Sequence, residues 1–353
     1  MNRKSLINNI LSFYKEISFD FDVYIVADLQ MRTTKINPSH IAHADENEFF
    51  SRTEFAEIAS AIFYCFGFAK VFYSELEFIK YILEGNLDCN ECIVYNFARD
   101  GRANGKKSLL PAFCDLLNIR YTGSDAFVIS LLRNKYIYTE FLEKNGIYVP
   151  KSKIFSQSND FSQLEKTFLY HRVIAKNRYE SASIGLNTDN VFLFDQNSYF
   201  TLSALLQNMS TDSLLVQEYI DGIECEVLVL QYKGIYYALD PVKIVFKTDH
   251  NFIDGDTSNQ YNYEFEILKS PLNSTIQEIA KKAAILLGIR DYARFDFRIK
   301  DNIPYLFDIA GTPYTIYHSS IAYLFTKYYH FPYEYIYKVI VACMLSNYKV
   351  NKI

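Results

Sequence analysis

Two aspartates beside an arginine form the most informative group of chemically active side chains in this sequence. Asp296 and Asp308 lie in two apolar runs with a short polar break between them, a pattern that predicts a β-hairpin with strands over residues 293–299 and 303–309. The pairing of such strands can bring both carboxylates to one face, next to Arg294. Two carboxylates and an arginine suit Mg²⁺ and phosphate oxygens. The alternative is an ion pair that closes a solvent-exposed hairpin, which is common and weak.

A second candidate group surrounds a short strand that ends in a lysine. Residues 172–176 predict this strand, and the small, polar stretch 177–185 follows Lys176. Loops of this kind let backbone N–H groups approach phosphate oxygens closely. The stretch is not a Walker loop, because no Gly-Lys-Ser/Thr follows it. Taken alone, it is equally compatible with a hairpin turn, and Lys176 with an edge-strand lysine that discourages aggregation.

The elements that must position these residues begin with an α/β unit. Apolar runs at 23–27 and 92–97 predict buried strands, and apolar side chains at three- and four-residue steps predict a helix over 55–66. A further helix is predicted over 108–117. Strands that alternate with helices indicate a parallel sheet, and ligands bind such sheets beyond the carboxyl ends of the strands. The polar loop 99–105 is therefore a candidate part of a binding cleft.

Composition excludes several classes of function. The chain has 353 residues, half of them hydrophobic, and a net charge of −5, which argues against a nonspecific nucleic-acid binder. No apolar run reaches the roughly 18 residues needed to span a bilayer, and the N-terminus is a poor signal peptide. We therefore expect a soluble cytoplasmic protein without nucleic-acid or membrane partners. The aromatic-rich tail 323–348 is compatible with either a core or an interface.

The six cysteines give little support for a metal or redox site. Cys89 and Cys92 have the CxxC spacing, but a structural zinc site needs a second such pair, and none is present. We expect reduced thiols. His40 and His43 lack the glutamate of a zinc-protease motif, so a pair of loop histidines is the simpler interpretation.

The order of these pieces resembles the D-alanine–D-alanine ligase branch of the ATP-grasp superfamily, from about residue 23 to about residue 320. The turn Ile119-Arg120-Tyr121-Thr122-Gly123-Ser124 is the most specific piece, and the block 296–319 is next. The others are Asn134-Lys135, the break from Gly146 to Pro150, and the segment 217–224.

The resemblance implies an α/β fold of the ATP-grasp type, with an N-terminal parallel α/β unit and two α+β units that clasp a nucleotide. We expect these units at residues 1–125, 126–213 and 214–353. It implies ATP and Mg²⁺ as cofactors, with small-molecule carboxylate and amine substrates. The carboxylate would attack the γ-phosphate of ATP, and the amine would then attack the acyl phosphate to form an amide. A homodimer is expected only by family analogy.

The same resemblance implies roles for individual residues. Lys135 and Lys176 would contact the nucleotide phosphates, Asp296 and Asp308 would hold Mg²⁺, and Glu224 would accept hydrogen bonds from the ribose. Arg294 would steady the transferring phosphoryl group or the oxyanion, and Ser319 would bind a substrate carboxylate. The lid over the phosphates would contain Ser181 and Ser183, and the segment lining the adenine would be Gln217, Glu218, Tyr219 and Ile220. Considered separately, Lys135 is also compatible with a solvated helix lysine and Glu224 with a turn residue.

The sequence departs from the family pattern at four places. Asp308 stands where the family has Glu, Ala310 where it has a metal-binding Asn, and Tyr314 where it has Gly. The stretch 252–259 also lacks the lysine that the family aims at the γ-phosphate. Because Mg²⁺ has strict octahedral geometry, the first two changes bear directly on the metal.

Two hypotheses follow from the motifs and departures. In the first, the protein is a carboxylate–amine ligase whose substrate pair differs from two D-alanines. In the second, it is a degenerate ATP-grasp protein that binds a nucleotide or ligand without ligating. A nicotinamide-binding enzyme is set aside, because the Gly-x-Gly-x-x-Gly turn is absent after the first strand, where Asp28-Leu29-Gln30-Met31 stands.

Overall fold

The fold is described from a computed structural model of the chain. The structure describes residues 2–17, 21–30, 48–86, 92–100, 104–156, 160–179, 183–247 and 251–350. Among the residues singled out in the sequence, Met31, His40, His43, Cys89 and Ser181 lie outside these ranges, as do residues 101–103 and 180–182 of the predicted loops 99–105 and 177–185. Among the described helices, none combines the length and apolar character needed to cross a bilayer.

The first sheet is parallel, as the alternation of strands and helices predicts. Its strands are β1 (Asp22–Ala27), β2 (Lys70–Phe72), β3 (Cys92–Phe97) and β4 (Arg120–Tyr121), in the spatial order β2-β1-β3-β4. The helices of this unit are α1 (Arg3–Glu16), α2 (Arg52–Phe66), α3 (Glu75–Leu83) and α4 (Leu109–Leu116). Helix α2 begins with a capping box, in which Ser51 and Glu54 satisfy each other's backbone N–H groups.

The second sheet is antiparallel and has the order β5-β8-β6-β7. Two helices precede it, α5 (Ala126–Arg133) and α6 (Lys135–Lys144). The strands are β5 (Ser152–Phe155), β6 (Arg172–Asn177), β7 (Val191–Leu193) and β8 (Leu214–Glu218), and α7 (Phe161–Phe168) and α8 (Ser198–Asn208) lie between them in the chain. These helices bury Phe168 and Leu202 in the same core as Val173 and Val216 of the strands.

The third sheet is also antiparallel and contains the predicted hairpin. Its order is β12-β11-β9-β13-β14, with β10 paired to β9. The elements are β9 (Ile223–Tyr232), β10 (Ile235–Ala238), β11 (Val242–Phe246), α9 (Gly255–Asn259), β12 (Tyr263–Ile267), α10 (Asn273–Leu287), β13 (Tyr292–Lys300) and β14 (Ile303–Ala310). Strands β13 and β14 confirm the hairpin to within one residue at each end.

Strand alternation divides the third sheet into an apolar face and a charged face. Val227 of β9 and Phe295 of β13 lie in one core with Ala280 and Ala283 of α10. Their neighbours along the strands therefore point to the opposite face, toward the second sheet. This charged face carries Glu224 and Glu226 of β9, Arg294, Asp296 and Arg298 of β13, and Asp308 of β14.

The C-terminal segment completes the core. It contains α11 (Ser320–Tyr323), a π-helical turn (Leu324–Tyr328) and α12 (Tyr335–Val350). Tyr337 and Met344 of α12 are fully buried beside α1 and the first sheet. The aromatic-rich tail is therefore largely core. The unit boundaries near residues 125 and 213 stay predictions, although β8, which begins at Leu214, pairs with β5 and β6 of the second sheet.

Candidate functional site

A cleft between the second and third sheets gathers most of the predicted site residues. The central cavity, about 190 Å³ in volume, is lined by Lys176 from β6, by the end of β8 and by the charged face of the third sheet. The predicted residues that line it are Lys135, Lys176, Ser183, Gln217, Glu218, Tyr219, Ile220, Glu224, Arg294, Asp296 and Asp308. The cleft thus brings together residues that are far apart in the chain. Lys135, for example, contacts Asp308, which lies 173 positions later.

The two aspartates lie directly opposite each other in the hairpin. Asp296 and Asp308 are paired residues of β13 and β14, next to an irregularity in the register that follows Asp296. The guanidinium of Arg294 donates two hydrogen bonds to the Asp296 carboxylate, both 2.8 Å long. The Asp308 carboxylate accepts from the ammonium of Lys135 and, at 2.9 Å, from the hydroxyl of Tyr138.

The two carboxyls differ in their electrostatic surroundings. Burial raises the pKa of Asp296, and the adjacent Arg294 offsets only part of that rise. Burial acts in the same direction on Asp308, but Lys135 and Lys176 overcome it and lower its pKa to about 2. Asp308 is therefore ionised at neutral pH and held between two ammonium groups.

Both predicted phosphate-contacting lysines are buried in the cleft. Lys135 is the first residue of α6, and its backbone N–H donates to the carbonyl of Arg178, which ties this helix to the strand β6. Lys176 lies at the end of β6. Burial, reinforced by the positive charge of Lys135, lowers the pKa of Lys176 to about 8. Around Asp308, the two buried ammonium groups outnumber the one carboxylate and leave a local excess of positive charge, although the whole cavity is lined by five carboxylates and four cationic side chains.

Glu224 lies in the cleft in a buried ion pair that the sequence analysis did not foresee. Its Oε2 accepts from Nε of Arg298 at 3.0 Å and from Nη2 at 2.5 Å. Arg298 also donates to the carbonyl of Ile220 at 3.0 Å, so it joins β13 to the segment after β8. Burial raises the pKa of Glu224, while Arg298 opposes the rise.

The segment predicted to line an adenine ends β8 at the mouth of the cavity. The side-chain amide of Gln217 is engaged within the protein, since its Nε2 donates to the hydroxyl of Ser152 at 3.0 Å. The backbone N–H groups of Glu218 and Tyr219 donate to the carbonyls of Lys151 and Arg172, at 2.8 and 2.9 Å. These two N–H groups are thus engaged by the protein and not aimed at a ligand.

The loop residues close the cavity from the other side. Ser183 adopts a left-handed backbone conformation with a φ of 55°, and its hydroxyl donates to the carbonyl of Ile253 at 2.7 Å. Phe252 is buried against the cavity, and α9 begins two residues after Ile253. Lys247, the nearest preceding lysine, is half-exposed and pairs with Glu264. It does not line the cavity.

Two further cavities adjoin the central cavity and have opposite character. The basic cavity, about 120 Å³, is lined by one carboxylate, Asp308, and by five basic side chains: Arg99, Lys107, Arg133, Lys135 and Arg294. Two of them, Lys107 and Arg133, also pair with the buried Glu48, and burial lowers the pKa of Lys107 to about 7. The aromatic cavity, about 420 Å³, is lined by Glu54, Glu226, Arg294, Tyr261, Tyr263, Phe265, Tyr314, His318 and Ser319, among others. Arg294 and Tyr314 line all three cavities, and the hydroxyl of Tyr314 donates to the carbonyl of Glu48.

Ser319 lies in the aromatic cavity and caps a helix. Its hydroxyl donates to the carbonyl of Ile316 at 2.7 Å and accepts from the N–H of Ala322 at 3.1 Å, which starts α11. The residue is therefore placed beside Arg294 in the same cavity, although its hydroxyl is already engaged within the protein.

Sequence reasoning missed Glu226, Arg298 and Tyr138. The first two could have been found, since they lie two residues beyond Glu224 and Asp296, and strand alternation places such neighbours on the same face. Glu226 is buried, pairs with Asp296 across β9 and β13, and lies 3.4 Å from Nε of Arg294. Burial raises its pKa to about 7. Tyr138 carried no sequence signal, because its contact with Asp308 joins two distant elements.

The residues present fit Mg²⁺ only when a ligand supplies further oxygens. Within the described ranges, no cluster of three or more His, Cys, Asp or Glu side chains is arranged to hold a metal ion. Mg²⁺ is commonly held by one or two carboxylates together with phosphate oxygens and water. Asp296 and Asp308 provide two such carboxylates on adjacent strands.

Comparison with known proteins identifies relatives of one kind. The family model described as D-ala D-ala ligase C-terminus matches residues 141–328. The chain is 29% identical over 215 residues to the D-alanine–D-alanine ligase of Thermotoga sp. (strain RQ2), which covers 59% of this chain and 66% of that protein. The corresponding enzyme of Maridesulfovibrio salexigens is 27% identical over 214 residues, covering 59% and 67%. The chain thus matches about two thirds of the length of these relatives.

The solved structures extend the likeness to the whole fold. D-alanine–D-alanine ligase from Bacillus anthracis, complexed with ATP, superposes with a TM-score of 0.65 at 16% identity, covering 93% of this chain and 99% of that one. VanG D-Ala:D-Ser ligase from Enterococcus faecalis has the same TM-score at 14% identity, covering 92% and 99%. At these identities the likeness shows the fold, which is that of the ATP-grasp ligases.

Proposed function

The chain belongs to the D-alanine–D-alanine ligase family, and we propose that it is an ATP- and Mg²⁺-dependent carboxylate–amine ligase. The observation that carries this proposal is the pairing of Asp296 with Asp308 across β13 and β14, with Lys135 and Lys176 buried in the same cleft. Phosphoryl transfer depends mainly on positioning and charge neutralisation, and this arrangement supplies both.

The residues suggest a division of labour along the bound nucleotide. Lys135 and Lys176 would bind the phosphates, and the charge excess around Asp308 supports this role. Asp296 and Asp308 would hold Mg²⁺, which would supply neutralisation of the negative charge on the phosphates. The carboxylate of Glu224 would accept from the ribose, with Arg298 fixing its orientation through two hydrogen bonds.

The adenine would lie against the segment from Gln217 to Ile220, with Ser183, and Ser181 beside it in sequence, covering the phosphates. Because the N–H groups of Glu218 and Tyr219 are used within the protein, recognition of the base edge falls to the other backbone groups of this segment. Phe307, which lines the same cavity, offers an aromatic surface against which a ring can pack.

The two side cavities suggest how the substrates approach. The basic cavity suits a carboxylate, which would lie beside the γ-phosphate and attack its phosphorus as ADP leaves. An amine nitrogen would then attack the acyl carbon, phosphate would leave, and the nitrogen would lose a proton as the amide forms. Arg294, which lines all three cavities, is placed to stabilise the charge that develops on the reacting oxygens. Ser319 would contribute to substrate binding in the aromatic cavity.

We further propose that the substrate pair is not two D-alanines. Tyr314 supports this, because its ring occupies the junction of the three cavities, packing against Phe50 at a centroid distance of 5.3 Å and against the Arg99 guanidinium. A side chain of this size reshapes the space available to both substrates.

The test is ADP release by the purified protein with ATP, Mg²⁺ and pools of amino acids. The proposal predicts ADP formation that depends on a specific pool, together with a new amide detected by mass spectrometry. Tight ATP binding without amino-acid-dependent ADP from any pool would instead support the second hypothesis, a protein that binds nucleotide without ligating. Ala310 and the absence of a lysine from residues 252–259 are the observations that favour that outcome.

A further inference from the structure

Glu226 is a buried carboxylate at the boundary of the central and aromatic cavities. It lines both, and its side chain is only 5% exposed. Its Oε1 lies 3.4 Å from Nε of Arg294, and the Ser320 hydroxyl interacts with the carboxylate, but Oε2 is buried and makes no hydrogen bond of regular geometry among the described residues. A buried carboxylate oxygen without a partner is costly, so such a group calls for a ligand.

Arg294 does not satisfy this carboxylate. Its guanidinium is committed to Asp296 through two hydrogen bonds of 2.8 Å, and its contact with Glu226 is longer and single. Among the described residues that line the aromatic cavity, Arg294 is the only lysine or arginine. A second carboxylate, Glu54, lines the same cavity and accepts from the hydroxyl of Tyr261 at 2.6 Å. The cavity therefore presents more negative than positive charge to its contents.

The remaining wall of the aromatic cavity suits a cation. Three aromatic rings surround His318, with centroid distances of 4.4 Å for Tyr261, 5.0 Å for Tyr263 and 5.2 Å for Phe265. Burial lowers the pKa of His318, so this ring adds little positive charge at neutral pH. The faces of aromatic rings attract ammonium groups, most strongly where water is excluded.

We infer that Glu226 binds an ammonium group of the substrate that occupies the aromatic cavity. This inference rests on the proposed ligase function and specifies its substrate class: an amino acid or diamine whose cationic nitrogen contacts Glu226 and the aromatic wall. The contrast with the basic cavity supports it, because the two cavities then receive substrate groups of opposite charge on either side of the reacting centre. A metal ion is the competing ligand, although Glu226, Asp296 and Asp308 are not arranged as a metal cluster.

The experiment measures binding, not turnover, in the presence of Mg²⁺ and a non-hydrolysable ATP analogue. Isothermal titration calorimetry would compare lysine, norleucine and hexanoate, using both enantiomers of the amino acids. Lysine and norleucine differ mainly in the side-chain ammonium, and norleucine and hexanoate differ in the α-ammonium. We expect wild-type protein to prefer the ammonium-bearing member of at least one pair by about tenfold, as for one charge-assisted hydrogen bond.

The variant Glu226→Gln should abolish this preference while leaving the affinity for the ATP analogue within about twofold. Glu226→Asp, which keeps the charge, should retain part of the preference. The control is Glu266→Gln, because Glu266 is an exposed carboxylate on β12 of the same sheet. Its removal should change nothing.

Three results would overturn the inference. The first is a wild-type protein with no preference in either pair, a measurement that does not require any variant to fold. The second is a preference that Glu226→Gln retains. The third is a Glu226→Gln variant that needs more Mg²⁺ to bind the analogue, which would assign Glu226 to the metal. Absence of ADP release in the ligase assay would overturn the proposed reaction without affecting these binding ratios.

Discussion

Three carboxylates of the central cavity are held by charged partners, so this part of the site is organised before any ligand arrives. Arg294 fixes Asp296, Lys135 fixes Asp308, and Arg298 fixes Glu224. Preorganised charges of this kind need little rearrangement when a nucleotide binds. Removal of either partner should lower the stability of the protein, because the residue left behind is a buried charge without a counter-ion.

The pair of Glu224 and Arg298 provides a prediction at this scale. Arg298→Gln should lower the free energy of unfolding by about 3 kcal/mol, because it leaves the Glu224 carboxylate buried without its counter-ion. It should also weaken ATP binding, since the orientation of Glu224 is lost. Urea unfolding followed by circular dichroism measures the first effect.

Lys243→Gln is the matched control for Arg298→Gln. Lys243 pairs with Glu266 at 3.9 Å on the surface of the same sheet, and both side chains are exposed. Its replacement should cost well under about 1 kcal/mol. Equal losses of unfolding free energy in the two variants would show that the buried pair stabilises the fold no more than the surface pair does.

At the scale of elements, the hairpin of β13 and β14 could be predicted from the sequence, whereas its contacts with other elements could not. Two apolar runs around a polar break specify the hairpin locally, and strand alternation then specifies which side chains share a face. The alignment of Glu226 with Asp296 depends on the pairing of β9 with β13, and the contact of Lys135 with Asp308 joins residues 173 positions apart. Neither relation is encoded in a local pattern. The family resemblance, not periodicity, placed Lys135 in the site.

Gly222 controls the approach of β9 to β13. A Cβ atom at this position would lie 2.2 Å from the carbonyl oxygen of Ile299 and 2.8 Å from its carbonyl carbon, both of them backbone atoms that cannot rotate away. Gly222→Ala should therefore separate the two strands next to Glu224 and Arg298. We expect a loss of about 1–3 kcal/mol in stability, typical of overpacking, together with weaker ATP binding.

Gly105→Ala tests whether this effect is specific. At Gly105 an added Cβ would meet only side-chain oxygens at 3.5 and 3.6 Å, an ordinary contact distance. Thermal melting and nucleotide titration should leave this variant close to wild type. A Gly222→Ala protein that matches it in both measurements would exclude a role for close strand approach at β9.

At the scale of the whole molecule, burial of carboxyl groups links stability to pH. Three buried carboxyls outside the cavities have pKa values raised mainly by burial, to about 7 for Asp28, about 8 for Glu75 and about 6 for Asp291. Between pH 5 and 7 the folded protein keeps protons that the unfolded chain has released. The free energy of unfolding should therefore fall as pH rises through this window, by about 1 kcal/mol per pH unit for each carboxyl that stays protonated.

His318 and Lys107 oppose this trend, because their lowered pKa values mean that the folded state binds fewer protons than the unfolded chain. These two groups should not outweigh the three carboxyls, because Lys107, with a pKa of about 7, loses its proton only at the upper end of this window. Urea unfolding at pH 5, 6 and 7 measures the slope, and Glu75→Gln should reduce it, since a glutamine oxygen can still accept from the N–H of Leu110. A stability that increases over this range would contradict the account of these buried groups.

The most direct test of the central claim is Mg²⁺-dependent binding of a non-hydrolysable ATP analogue to wild-type protein, Asp296→Asn and Asp301→Asn. The aspartates at 296 and 301 belong to one hairpin, but Asp301 is exposed in its turn, with a φ of 51° that asparagine tolerates. We predict that Mg²⁺ strengthens binding to wild type and Asp301→Asn by at least about tenfold and has little effect on Asp296→Asn. Equal Mg²⁺ dependence in all three proteins would contradict a nucleotide held through metal at the paired aspartates.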